Sequence, residues 1–233
     1  ETLAARVSPD STRQIHELLA QVLVAHGDDD PEALFDHYRA AGYPTLAATQ
    51  AAAAAAKASG VLAFDLAATF YRHALHLHPD AGERAEWSTG LARALENAGR
   101  PVEAADAYLD AAVQAPGADR LEWRRKAAEL LLIGGQIDRG LAAIDDVLRT
   151  VGVRLASGPQ AALASLALRR LLLRLRGIEL RARPNAPITQ GDLLRIDACW
   201  SMTVGMAMVD SLRAADVNVR QLLWALRVGD PYR

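Results

Sequence analysis

The chain has 233 residues, 51% of them apolar but only 5% aromatic, and a formal net charge of −2. Ala and Leu supply most of the apolar share, which suits closely packed helices and disfavours a β-rich fold. The near-neutral balance excludes a global field that would recruit nucleic acid or an acidic membrane.

Ser8-Pro-Asp-Ser-Thr carries a hydroxyl cap ahead of an amphipathic run, Ile15, Leu18, Leu19, Val22 and Leu23, and predicts a first helix. Gly27-Asp-Asp-Asp-Pro ends it and starts a second, with Pro31 in the first turn and closure at Gly42. The acidic run Asp28–Asp30 lacks the spaced ligands of a calcium loop and suits a helix N-terminus. Residues 44–59 predict a helix so rich in alanine that its neighbours can approach closely. After Gly60 a second helix runs through Leu62, Leu66, Phe70, Ala74 and Leu77 to Pro79.

From about Ala81 the chain repeats itself 36 residues apart: Trp87 recurs as Trp123, Leu91 as Ala127, Leu95 as Leu131 and Gly99 as Gly135. The match continues as Ala104 and Gly140, Tyr108 and Ile144, Ala111 and Val147. An earlier copy is offset by 37, with Ala67, Tyr71, Ala74 and Pro79 matching Ala104, Tyr108, Ala111 and Pro116. A helix–turn–helix period of this length is the sequence signature of an α-solenoid, whose units bury their apolar faces against one another.

Residues 153–188 break the period. Gly158-Pro159 opens a helix expected to run to about Arg181. Leu168, Leu171, Leu175 and Ile178 form one apolar stripe, and Leu166, Leu173 and Leu180 form a second on the opposite side. Arg170, Arg174 and Arg181 fill one gap; Arg169, Arg176 and Arg183 fill the other. Such a helix is expected to be sandwiched between neighbours, its arginines pairing with acids such as Asp145 and Asp146; the alternative is that six arginines facing only Glu179 attract phosphate or an acidic partner. After the loop Pro184-Asn-Ala-Pro187, Thr189 is expected to cap the next helix, which runs to Val209. A last helix, from Ala214 to Val228, completes a diverged pair. The division expected from these patterns is an N-terminal helical pair over 1–43, three repeats over 44–152 and diverged repeats over 153–233, all one continuous solenoid.

Motifs for chemistry are sparse. There is no Gly-rich phosphate loop with a Lys, no nucleophile elbow and no zinc-ligand spacing. His73, His76 and His78 near Asp80 mark a helix C-terminus rather than a metal site. The single cysteine, Cys199, excludes an internal disulfide and reads as a buried thiol in an apolar run. Aromatic residues are not interleaved with the arginines, which argues against single-stranded nucleic acid. No apolar stretch approaches the roughly 20 residues that cross a bilayer. The opening Glu-Thr-Leu in place of Met reads as a segment of a longer cytoplasmic polypeptide.

Leu91, Ala92, Gly99, Ala104, Tyr108, Ala111 and Pro116 resemble the tetratricopeptide pattern, from which the third copy departs at Gly140, Ile144 and Gly152. Over the whole chain, four strings resemble the C-terminal helical region of large bacterial signalling proteins. They are Glu1-Thr-Leu-Ala-Ala-Arg-Val-Ser-Pro, Leu62-Ala-Phe-Asp-Leu-Ala-Ala-Thr-Phe-Tyr-Arg-His-Ala-Leu, Leu193-Leu-Arg-Ile-Asp-Ala-Cys-Trp-Ser and Leu226-Arg-Val-Gly-Asp-Pro-Tyr-Arg. In those proteins a serine/threonine protein kinase domain precedes an AAA-type, STAND-class ATPase module and tetratricopeptide-like repeats. The 36–37-residue spacing and the Gly/Pro punctuation predict an all-α, right-handed superhelix of about ten to twelve helices without strands, and the resemblance implies that any catalytic motif lies upstream of Glu1. Transcription activators of the same ATPase class carry similar repeats, so they stand as a second candidate parent.

The expected role is a non-catalytic protein-interaction scaffold without cofactor or metal. It would bind a protein or peptide partner, or contact upstream kinase or ATPase domains of its own polypeptide. The alternative is a sensor that takes a small inducer in its groove. By the tetratricopeptide register, the first helix of each pair would line the binding face. That places Glu86, Thr89, Arg93, Glu96 and Asn97 in the second copy, and Glu122, Arg125 and Glu129 in the third, followed by Leu132 and Ile133. The first copy offers only Thr49, Ala52, Ala56, Ser59 and Gly60. Recognition is expected between Arg93 and Arg125, for an extended peptide rather than a uniformly acidic tail.

Overall fold

Proline fixes φ near its helical value and lacks an N–H that the first turn would leave unbonded, so it favours helix starts. It begins five helices here: α1 (Pro9–Ala25), α2 (Pro31–Ala41), α3 (Pro44–Gly60), α6 (Pro101–Gln114) and α9 (Pro159–Arg176). The others are α4 (Phe64–Leu77), α5 (Arg84–Asn97), α7 (Gly117–Ile133), α8 (Ile137–Thr150), α10 (Gln190–Ala207) and α11 (Ser211–Val228). The computed structural model describes residues 8–27, 30–77, 82–179 and 190–229, and among them are these eleven helices and no strand. Ser8 caps α1 through Ser11 N at 3.2 Å, Asp30 caps α2, and Gly42 closes α2 in the left-handed region. The expectations placed on residues 1–7, Asp28, Asp29, 78–81, 180–189 and 230–233 lie outside the described residues. These include His78, Pro79, Asp80, Arg181, Arg183 and the Thr189 cap.

The chain forms two compact units, Glu1–Pro116 and Gly117–Arg233, so the boundary falls between the second and third copies, inside the 44–152 segment. In the first unit each helix packs on the next, from α1 on α2 through to α5 on α6. The alanines make this possible: Ala47, Ala48, Ala51 and Ala55 are fully buried on α3, where α2 and α4 close in. Phe35 and Phe70 meet edge to face beside them, with ring centroids 5.6 Å apart. At Gly90 a Cβ would lie 2.7 Å from the Tyr71 hydroxyl, so any side chain there has to displace that ring. Among the described residues α1 packs on α2. Its expected core positions Ile15, Leu18, Leu19 and Val22 are therefore exposed, and only Ala20 is buried.

In the second unit the order is not sequential. α8 packs on α7, and α10 packs on both. α11 packs on α10, and α9 packs on α11. The core joins Leu132, Ile144, Val147 and Leu148 to Cys199, Met202, Met206 and Val217. Because α10 takes the place beside α8, α9 is not sandwiched. Of the two expected stripes only the Leu166 side is buried; Leu168, Leu171, Leu175 and Ile178 face solvent. The helix also stops at Arg176, short of Arg181, where Gly177 adopts φ 78°. A second boundary differs at Leu62, which lies in the turn before α4 with φ 62°, outside the helix.

The 36-residue correspondence holds in three dimensions. Gly99 and Gly135 both take left-handed φ values, 73° and 76°, and end their helices alike. Arg100 N donates to Leu95 O at 2.9 Å, and Gln136 N donates to Leu131 O at 2.8 Å, the six-to-one bond of a Schellman close. Tyr108 and Ile144 are both fully buried. Gly140, which replaces Ala104, would collide with the Leu132 side chain if it carried a Cβ.

Candidate functional site

The expected binding residues divide between the units. Glu86, Thr89, Arg93 and Asn97 stand on α5 of the first unit, while Glu122, Arg125 and Glu129 stand on α7 of the second. On α5, Glu86, Arg93 and Asn97 are exposed. Thr89 is half-buried, and its hydroxyl donates to Ala85 O at 2.8 Å within the helix. Glu96 does not point outward. It accepts a 2.7 Å hydrogen bond from the hydroxyl of the fully buried Tyr108. Burial, and then this bond to a carboxylate, raise the phenol's pKa and keep it protonated. The 36-residue counterparts of this polar pair are Leu132 and Ile144, both buried in one apolar cluster. Leu132 is thus a core residue rather than a groove residue, whereas Ile133 is exposed.

On α7, Arg125 is held by its own helix. Its Nε and Nη2 donate to the two Glu122 oxygens at 2.8 and 2.7 Å, and Nη1 donates to Glu129 Oε2 at 3.3 Å. This bidentate bond, opposed by partial burial, lowers the Glu122 pKa. Glu122 and Arg125 line a cleft of about 380 Å3 with Asp119 and Leu121 of α7 and Asp197, Ala198 and Ser201 of α10. Asp119 and Asp197 are exposed at this cleft. The described lining thus holds three carboxylates and one arginine, itself already engaged by Glu122 and Glu129, with Lys126 also acting on Glu122. Its chemistry suits a cationic side chain carried on an extended segment.

The arginines of α9 meet an acid other than the expected Asp145 and Asp146. Asp216 of α11 is 1% exposed and accepts from Arg169 at 2.9 Å, Arg220 at 2.7 Å and the Ser165 hydroxyl at 2.7 Å. Arg176 Nη2 donates to Leu226 O at 2.6 Å, near the end of α11. The expected acids are taken elsewhere: Asp145 pairs with Arg149 at 2.6 Å, and Asp146 with Arg124 at 2.8 Å. Asp216–Arg220 was visible in the sequence as an i, i+4 pair beside the apolar Ala214 and Val217. The contribution of Ser165 and Arg169 needed the α9–α11 packing.

Two further expectations concern metal and thiol. His73 lies against Phe35, with ring centroids 5.3 Å apart, and among the described residues no group of three ligating side chains forms a metal site. Cys199 is fully buried, and burial pushes its thiol up to about 12, so it is held as an unreactive thiol. Among the described residues no helix is long and apolar enough to cross a membrane. No protein-family model matches the chain, and no curated protein matches it.

Proposed function

We propose that this chain is a non-catalytic interaction segment that docks an extended, basic or mixed-charge peptide in the acidic α7/α10 cleft. The observation that supports the reading is the lining of that cleft: Asp119, Glu122 and Asp197, with Arg125 neutralised from within its own helix. The alternative, a sensor for a small inducer, calls for an enclosed apolar cavity, whereas five of the seven described lining residues here are polar or charged. We take the helical pairs as a tetratricopeptide-like, right-handed superhelix. Its parent would be a bacterial signalling polypeptide with an upstream kinase or STAND-class ATPase module. The partner is then a protein or an upstream domain of the same polypeptide.

The test is selection of random peptides on the immobilised chain. Enrichment of Lys and Arg is expected, with binding lost in Asp119→Lys/Asp197→Lys at an unchanged melting temperature. Peptides that bind this double variant as well as the parent chain would remove the cleft from the proposal. A stoichiometric metabolite retained through purification and seen by native mass spectrometry would replace the scaffold with the sensor.

A further inference from the structure

Residues 151–158 connect α8 to α9 without helical structure, yet arginines from α10 and α11 fix their backbone. Arg195 Nε donates to Val151 O at 2.7 Å, and its guanidinium lies 5.2 Å from the centroid of the Trp224 ring. Arg220 Nη1 donates to Arg154 O at 2.7 Å, while Asp216 holds the other end of that guanidinium. Upstream, Val153 N donates to Leu148 O at 2.8 Å, closing α8 around a left-handed Gly152, φ 79°. The segment is ordered by three separate attachments to the unit's core.

Arg149, Gly152 and Arg154 line a cleft of about 550 Å3. A Cβ at position 152 would stand 3.5 Å from Arg195 Nη2, an ordinary contact distance, so a third guanidinium lies against the same stretch of backbone. Two acids lie close in the chain: Asp145, which holds Arg149 at 2.6 Å, and Asp192, one turn before Arg195 on α10. Arg154 is exposed and makes no ion pair among the described residues. Among the described residues the lining is two arginines and a glycine, so what they offer a ligand is charge and not an apolar side chain.

We propose that Arg149, Arg154 and Arg195 around Gly152 form a binding site for a phosphate group. Guanidinium forks match phosphate oxygens in pairs and lose less hydration than ammonium groups, which favours this anion over chloride or an isolated carboxylate. The pinned loop reduces the ordering cost that a flexible arginine loop would incur on binding. The site is separate from the α7/α10 cleft and does not depend on the peptide-docking reading.

Titration of the isotope-labelled full chain with inorganic phosphate, O-phosphoserine, a phosphoserine peptide and its unphosphorylated counterpart tests the proposal. Saturable amide shifts centred on Gly152, Arg154 and Arg195 are expected with the first three probes and not with the fourth. Arg154→Glu should weaken binding at least about tenfold. Its side chain is exposed and only its carbonyl is held by Arg220, so the melting temperature should not change. The phosphopeptide binding more tightly than O-phosphoserine would identify a modified protein as the source; equal binding would identify a free phosphorylated compound. Non-saturating shifts up to about 20 mM phosphate, shifts spread over arginines elsewhere, or an unchanged titration of Arg154→Glu would overturn the site.

Discussion

The two compact units solve the same packing problem with different materials. In the first, small residues let consecutive helices close on one another, and the polar contacts between helices lie mostly at the surface, such as Arg72–Glu103 at 2.7 Å. In the second, Leu, Ile, Val and Met fill the core, α9 packs on α11 instead of joining its neighbours in sequence, and a buried acid lies in that contact. Small-residue packing makes neighbours of helices adjacent in sequence. A departure from that order brings together a helix pair with its own specific polar lock. The repeat pattern is therefore informative up to α8, and stops being so where Asp216 and Arg169 take over.

The largest effect expected from this contrast follows Asp216→Ala. It leaves Arg169 and Arg220 facing each other across a site that is 1% exposed, and should cost about 3–5 kcal/mol. Hydrogen exchange should show protection lost in α9 and α11 and retained in α2 to α5. Uniform loss across both units would mean that the lock is not local to the second. Gly90→Ala probes the first unit's dependence on small residues. The new Cβ would meet Tyr71 Cε1 at 2.7 Å; overpacking of about 1–3 kcal/mol is offset by about 1 kcal/mol of helix propensity. A net loss in chemical denaturation is expected, and a net gain would show that the Tyr71 ring moves aside freely.

Transplanting the apolar character of one repeat into the other is a finer probe. Glu96→Leu alone leaves the buried Tyr108 hydroxyl without its 2.7 Å acceptor and should cost about 1–3 kcal/mol. Combined with Tyr108→Phe it should be close to neutral, as the Leu132/Ile144 pair of the next copy is apolar throughout. Additive losses in the double-mutant cycle would sever the analogy between the copies. The smallest effect concerns Arg125. Its hydrogen bond holds the Glu122 carboxyl below its ordinary value of 4.5, so the pair stabilises the fold above that pH. The contribution is lost as pH falls through the lower folded value. With both side chains partly exposed this is a few tenths of a kcal/mol. In Arg125→Gln the acid limb of the melting profile should flatten by that amount.

Local rules made much of the fold legible. Pro31, Pro44, Pro101 and Pro159 mark helix starts, and Gly42, Gly99 and Gly135 mark helix ends, because backbone dihedrals obey local sterics. The candidate sites were less so. Glu96 and Leu132 occupy one register position, which spacing alone places in a groove. Glu96 turns towards Tyr108 and Leu132 enters the core, since the facing helix decides where a side chain near the edge of an apolar stripe goes. Arg125 was legible as a charge, but its engagement by Glu122 and Glu129 depends on rotamers that spacing permits without requiring.

The sequence by itself determined an all-helical chain, its repeated pairs, most of its helix ends and the burial of positions such as Tyr108, Ile144 and Cys199. Periodicity carries these because a residue's place on its own helix is fixed by the 3.6-residue turn. Only the tertiary structure decided the boundary after Pro116, the exposure of the α9 leucines and the convergence of Arg149, Arg154 and Arg195 on Gly152. These depend on which helix lies beside which. That choice is made by long-range burial and, for α9 on α11, by the buried carboxylate of Asp216, rather than by any local preference of the chain.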